Sequence, residues 1–193
     1  MNHNLAYQDD PREELIDGKI IAMSPRPSYN HNKAASNVYR RFADYLEKRK
    51  CEAIADGTDL YLNETNRFIP DMMVVCDPDK IKWDGVHGAP DLVAEVLSPA
   101  TRRRDKKEKM QAYGFAGVRE YWLVDPSSES VEVYLNESGS FRLDNVYIHC
   151  PACELERMSA AERAAVPACV RCCLFDDFEI SVADIFKGLL AIG

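Results

Sequence analysis

Two short stretches of this chain are apolar almost residue after residue: Ile69-Pro-Asp-Met-Met-Val-Val-Cys76 and Leu92-Val-Ala-Glu-Val-Leu97. A strand with one face in water alternates apolar and polar side chains, whereas one covered on both faces reads as a continuous apolar run. Neither stretch approaches the ~20 apolar residues that span a membrane. A third segment, Glu120-Tyr-Trp-Leu-Val-Asp125, has the same character. Strands of this kind need cover on both faces, so they predict a mixed β-sheet flanked by helices, an α/β (α+β) fold.

Periodicity locates the cover. Ala34, Val38, Phe42, Tyr45 and Leu46 trace one apolar face of a helix over residues 30–50. Thr101 can cap a second helix, running to about Phe115 and stopped by Gly117. A third is expected over 182–190. Glu14-Leu-Ile-Asp-Gly-Lys-Ile-Ile-Ala-Met23 predicts a hairpin turned by Asp17-Gly18, after which Pro25 and Pro27 break the chain. Residues 51–62 predict one or two strands around Gly57, and 78–90 a loop. A meander is expected over 131–148, and a short strand near 175–180. Length suits one domain over residues 1–193, with a small insert.

Glu95 is the only polar side chain in its strand. An unpaired buried carboxylate costs several kcal/mol, so Glu95 must be paired, protonated or bound to a cation. Asp71 opens the neighbouring apolar run after Pro70. Two carboxylates on adjacent strands make an oxygen-rich site for Mg²⁺ or Mn²⁺, an ion that polarises a phosphodiester and activates water. The plain alternatives are a strand-end acid for Asp71 and a buried salt bridge to an arginine for Glu95. On the following helix Asp105, Lys109 and Tyr113 recur at four-residue spacing, so Lys109 borders the core-facing stripe. Lys106 lies four residues before Met110, and periodicity leaves the choice between the two lysines open. Asp105 can simply pair with Lys109.

Two cysteine pairs, Cys150-Pro-Ala-Cys153 and Cys169-Val-Arg-Cys172, are fifteen residues apart. That spacing predicts a structural Zn²⁺ held by four thiolates in a ribbon-like insert over 149–173, with Cys173 or His149 as possible substitutes. Ordinary buried thiols are the alternative. Ser159 and Glu162 have the form of a capping box for a short helix within it. Residues 1–15 lack the apolar run of an export signal, which predicts reduced thiols and a cytoplasmic protein.

A net charge of −8 argues against a surface that is basic all over. Residues 33–50 and 102–109 nevertheless each carry six basic and two acidic side chains, enough for a local nucleic-acid-facing strip. His31, at the start of the first long helix, can bind phosphate or merely cap and pack. Glu14 on the hairpin is either an accessory acid or an exposed strand residue. Trp122 belongs to the core, while Trp83 either anchors its loop or stacks on a base.

Pro70-Asp71, Gly88-Ala-Pro-Asp-Leu-Val-Ala-Glu-Val-Leu-Ser-Pro99, the Asp105, Lys109 and Tyr113 set, and Gly117-Val-Arg-Glu-Tyr-Trp-Leu-Val-Asp-Pro126 resemble the bacterial Uma-type restriction endonucleases of the PD-(D/E)XK superfamily. The Glu14-Leu-Ile-Asp-Gly hairpin, His31, and Phe175-Asp-Asp-Phe-Glu-Ile with Asp184-Ile-Phe186 also match. The resemblance implies a restriction-endonuclease-like sheet and a divalent-metal nuclease site, with Asp71 and Glu95 as ligands. The superfamily's usual lysine two residues after the acid is Leu97 here, and the resemblance places its role on Lys109. DNA is the implied substrate, with RNA and a homodimer left open. A rival reading is a non-catalytic nucleic-acid or protein-binding module on the same scaffold. A thioredoxin-like redox role is disfavoured, because neither CxxC pair follows a strand in a βαβ unit.

Overall fold

The computed structural model describes residues 12–23 and 26–191. The expected break at Pro25 and most of the stretch read for an export signal lie outside the described residues. Asp17 and Gly18 both have positive φ, 49° and 75°, as a type I′ turn requires, and join β1 (Glu13–Ile16) to β2 (Lys19–Ala22). Helix α1 (Tyr29–Leu46) starts at Ser28, whose hydroxyl accepts the His31 amide. It ends short of residue 50, because the following Glu-Lys-Arg-Lys has nothing apolar to bury.

The next strands are β3 (Glu52–Ala55), β4 (Leu60–Asn63), β5 (Asn66–Phe68) and β6 (Met72–Val75). The segment expected as a loop over 78–90 instead contains a 3₁₀ turn and a tight hairpin, β7 (Ile81–Lys82) and β8 (Gly85–His87). After β9 (Leu92–Val96) comes a helix in three contiguous stretches: α2 (Arg102–Arg104), a π-helical turn (Asp105–Lys109) and α3 (Met110–Ala116). Gly117, at φ 96°, stops it. Strands β10 (Glu120–Asp125), β11 (Ser130–Glu137) and β12 (Ser140–Ile148) form the meander.

The cysteine-rich stretch carries α4 (Ala152–Leu155) and α5 (Ala160–Ala165), the latter opened by the Ser159–Glu162 capping box. Strand β13 (Cys169–Arg171) pairs with β14 (Glu179–Ser181), so the strand expected over 175–180 sits later in the chain. Helix α6 (Val182–Ile185) is far shorter than expected, and Gly188, at φ 80°, departs from helical backbone where a longer helix would run.

Among the described residues there are two mixed six-stranded sheets rather than one, beside the β13–β14 pair. The first runs β12-β11-β10-β9-β6-β3, with β9 and β10 parallel and the other pairs antiparallel. The second runs β2-β1-β5-β4-β8-β7. Side chains alternate across the first sheet. Met72, Val74, Leu92, Ala94, Val96 and Trp122 pack with Val38 and Phe42 of α1 on one face. Met73, Val75, Val93, Leu97, Tyr121 and Leu123 pack with Tyr113 of α3 and with Ile16, Leu60 and Val86 of the second sheet on the other.

The sequence led us to expect reduced thiols, but not every thiol is reduced. The β3–β6 register, Glu52 opposite Val75, carries Cys51 to Cys76 one step further on, and these two form a disulfide. The remaining described cysteines are free. No described helix is long and apolar enough to cross a membrane.

Candidate active site

The period-two alternation of β6 and β9 decides where the isolated acids point. Asp71 precedes Met73 and Val75 by even steps, and Glu95 lies midway between Val93 and Leu97, so both belong to the face that packs on α3. Met72 opposite Ala94, extended by one residue, sets Asp71 across from Glu95. The Asp71 carboxylate accepts the Val96 amide through Oδ2 at 2.7 Å, and His31 Nε2 lies 3.4 Å from the same oxygen. His31 therefore stands beside Asp71 rather than capping α1, a task that falls to Ser28.

A Pro-Asp pair does not by itself make a site, as the chain demonstrates. Pro90-Asp91 opens β9 as Pro70-Asp71 opens β6, and Asp91 Oδ2 accepts the Cys76 amide at 2.8 Å, mirroring the bond from Val96 to Asp71. Each aspartate ties down the far end of the partner strand. Asp71 does so directly across from the buried Glu95.

Glu95 is 3% exposed. Its Oε1 accepts from Lys109 Nζ at 2.9 Å and from the Tyr113 hydroxyl at 2.8 Å. The π turn buries Asp105 and Lys109 together, with Lys109 Nζ 3.7 Å from Asp105 Oδ1. Glu14 is also buried, on the inward face of β1 with Ile16; its Oε1 lies 2.8 Å from Lys109 Nζ and its Oε2 3.3 Å from Arg104 Nη1. The reading of Glu14 as an exposed strand residue is thus overturned, as is an arginine partner for Glu95. Lys106 does not join this group; it reaches Glu132 Oε1 at 2.7 Å. The sequence left Arg104 and the Tyr113 hydroxyl unassigned. The four-residue spacing of Lys109 and Tyr113 was the one signal for the latter.

Asp71, Glu95, Glu14, Asp105, Lys109, His31 and Arg104 line one cavity of about 660 Å³. Burial pushes the Glu95 carboxyl well above its usual range, Lys109 opposes that shift, and Asp105, Asp71 and Glu14 add to it. Burial likewise raises Asp105 against the pull of Lys109. For Lys109 burial works against the charge, but Glu95, Glu14 and Asp105 outweigh it and hold the ammonium charged. Burial also works against the His31 imidazolium, and the bond to Asp71 and its charge overcome that to raise the pKa. Asp71, Glu95, Glu14 and Asp105 lie against Lys109, Arg104 and His31, and Arg12, Arg26 and Asp56 line the same cavity, so with His31 protonated its acids and cations are equal in number. Asp105 Oδ1 is buried without a hydrogen-bond partner. Carboxylate oxygens grouped in one cavity, one of them orphaned, fit a hard divalent cation.

The cysteines are arranged differently from the expectation. Cys172 and Cys173 turn to the buried Glu120, whose Oε2 lies 3.4 Å and 2.8 Å from their sulfurs and accepts the Cys173 amide at 2.9 Å. Burial, with Glu120 beside it, pushes the Cys173 thiol up to about 12. Cys150 faces the Pro151 carbonyl and Glu154, and Cys169 lies in β13. His149 pairs with Glu129. Among the described residues, no three His, Cys, Asp or Glu side chains are gathered as a metal-holding group. Cys150, Cys153, Cys169 and Cys172 are therefore not brought together as a zinc site.

A mixed sheet packed between α1 and α3, with strand-borne acids beside a helix-borne lysine, is the restriction-endonuclease-like nuclease fold. The same architecture occurs in a crystal structure described as "a putative nuclease belonging to DUF820" from Anabaena variabilis ATCC 29413. It superposes with a TM-score of 0.63 over 91% of this chain and 90% of that one, at 20% identity. The chain belongs to the Uma2 family, described as "Putative restriction endonuclease", whose sequence model matches residues 2–160. It is also 30% identical over 131 residues to "Uncharacterized protein sll1609" of Synechocystis sp. (strain ATCC 27184 / PCC 6803 / Kazusa), covering 66% of this chain and 73% of that protein.

Proposed function

We propose that this protein is a metal-dependent nuclease that hydrolyses phosphodiester bonds of DNA. The observation that carries the reading is the meeting of Asp71, Glu95 and Lys109 in one cavity from three separate elements, within a family described as "Putative restriction endonuclease". Asp71 and Glu95 hold Mg²⁺ or Mn²⁺ through their carboxylate oxygens. The ion, when bound, supplies Lewis acidity at the phosphate and lowers the pKa of its water. Lys109 orients the attacking water or stabilises the charge that develops on the phosphoryl oxygens. Tyr113 fixes the Glu95 carboxylate through its hydroxyl, and Leu97, in the place of the superfamily's usual lysine, serves only the core. The same helix that sends Arg104 and Lys109 into the cavity also exposes Arg103 and Lys107, basic side chains that suit the phosphate backbone.

Plasmid and single-stranded DNA incubated with purified protein and Mg²⁺, then with chelator, test the reading. Cleavage is expected with the metal, and neither with chelator nor with Asp71→Ala. DNA that is bound but never cut under any divalent metal would favour a binding module instead.

A further inference from the structure

Three acids from three different elements converge on one ammonium. Lys109 Nζ stands 2.8 Å from Glu14 Oε1 on β1, 2.9 Å from Glu95 Oε1 on β9 and 3.7 Å from Asp105 Oδ1 one helical turn away. The lysine side chain is only 5% exposed. One ammonium thus lies among three buried carboxylates, of which Glu14 alone also has Arg104 beside it at 3.3 Å, and Asp105 Oδ1, at 3.7 Å, stays outside hydrogen-bonding reach. Removing one member of such a buried group leaves charge uncompensated in a poorly solvated place.

We propose that Lys109 is the resident counter-ion of the metal-free site: it stands between Glu14 and Glu95 and competes there with the incoming divalent cation, so that the lysine sets metal affinity as much as the carboxylates do. The inference rests on the reading of Asp71 and Glu95 as cation ligands. Two cations cannot share that space without repulsion, so metal binding shifts the ammonium away from its present partners. Glu95 keeps a donor when this happens, because the Tyr113 hydroxyl bonds the same oxygen from the next turns of the helix. Asp105 has an acceptor atom free for the displaced ammonium. The same lysine can therefore stabilise the metal-free fold and stand beside the ion in the loaded site.

Mn²⁺ binding followed by the electron paramagnetic resonance of the free ion, together with thermal unfolding in EDTA and in Mn²⁺, tests this on wild type, Lys109→Met and Lys109→Gln. Both variants should bind Mn²⁺ about tenfold or more tightly than wild type, because a competing charge a few ångströms away is gone. Both should also melt lower in EDTA and gain more from Mn²⁺ than wild type does. Equal or weaker binding by the variants contradicts the proposal. So does a variant unfolded with and without Mn²⁺, since the ion should replace the missing charge. Wild-type protein that binds Mn²⁺ and cuts DNA, with variants of unchanged affinity, sinks this inference alone. Wild type that does neither sinks the nuclease reading with it.

Discussion

Glu95 and Asp105 occupy places where ionisation is costly, and folding binds their protons more tightly than the unfolded chain does. A group whose pKa is raised on folding contributes stability below its ordinary value, here 4.5 and 3.8, and loses it as pH climbs through the folded value. Protein kept in EDTA should therefore lose stability as pH rises above those ordinary values. Denaturant unfolding in EDTA across that range should show the loss, and Asp105→Asn should flatten it. Under the proposed function, Asp71→Asn and Glu95→Gln should each slow DNA cleavage roughly a thousandfold while leaving the fold intact, because they remove charge at the ion rather than packing. A variant that unfolds would mark its acid as a structural partner. The neighbourhood of Asp71 and Glu95 was legible because polar residues stand out in apolar strands. The choice of Lys109 over Lys106 was not, since a π turn shifts the rotation on which helical spacing relies.

Among the elements, the hairpin of β7 and β8 is held by a close approach that one methyl group would break. A Cβ at Gly85, where φ is 147°, would sit 2.4 Å from the Asp59 carbonyl oxygen on the neighbouring segment. Gly85→Ala should cost about 2 kcal/mol or more, measured by denaturant unfolding. Gly57→Ala, at φ 100° with nothing within 4 Å, should cost about 1 kcal/mol. Long apolar or amphipathic segments such as α1, β9 and β10 could be read from sequence because their pattern repeats. Strands of two or three residues, β5, β7 and β8, offer no period, so the second sheet went unseen. The disulfide escaped too, because Cys51 and Cys76 meet only through the antiparallel register of β3 with β6. In the opposite direction, the spacing of Cys150, Cys153, Cys169 and Cys172 promised a metal cluster, but Cys172 has a buried carboxylate for a neighbour.

At the scale of the whole molecule, order should follow burial. Every residue of β9 and β10 is buried, whereas α4 and α5 bury none. Hydrogen exchange should be slowest in the first pair and fastest over residues 152–165, and equal protection in both would contradict that division. Under the proposed function the acidic chain, net −8, would meet DNA through its locally basic helix, so cleavage should weaken steeply with added salt. Two sheets and a helix bring four acids and a lysine to one cavity, and the account stands on what those acids hold. Anomalous diffraction from crystals grown with Mn²⁺ tests it most directly. The account predicts one manganese peak in contact with both the Asp71 and the Glu95 carboxylates. Full Mn²⁺ occupancy elsewhere on the protein, with none at that pair of carboxylates, would contradict it.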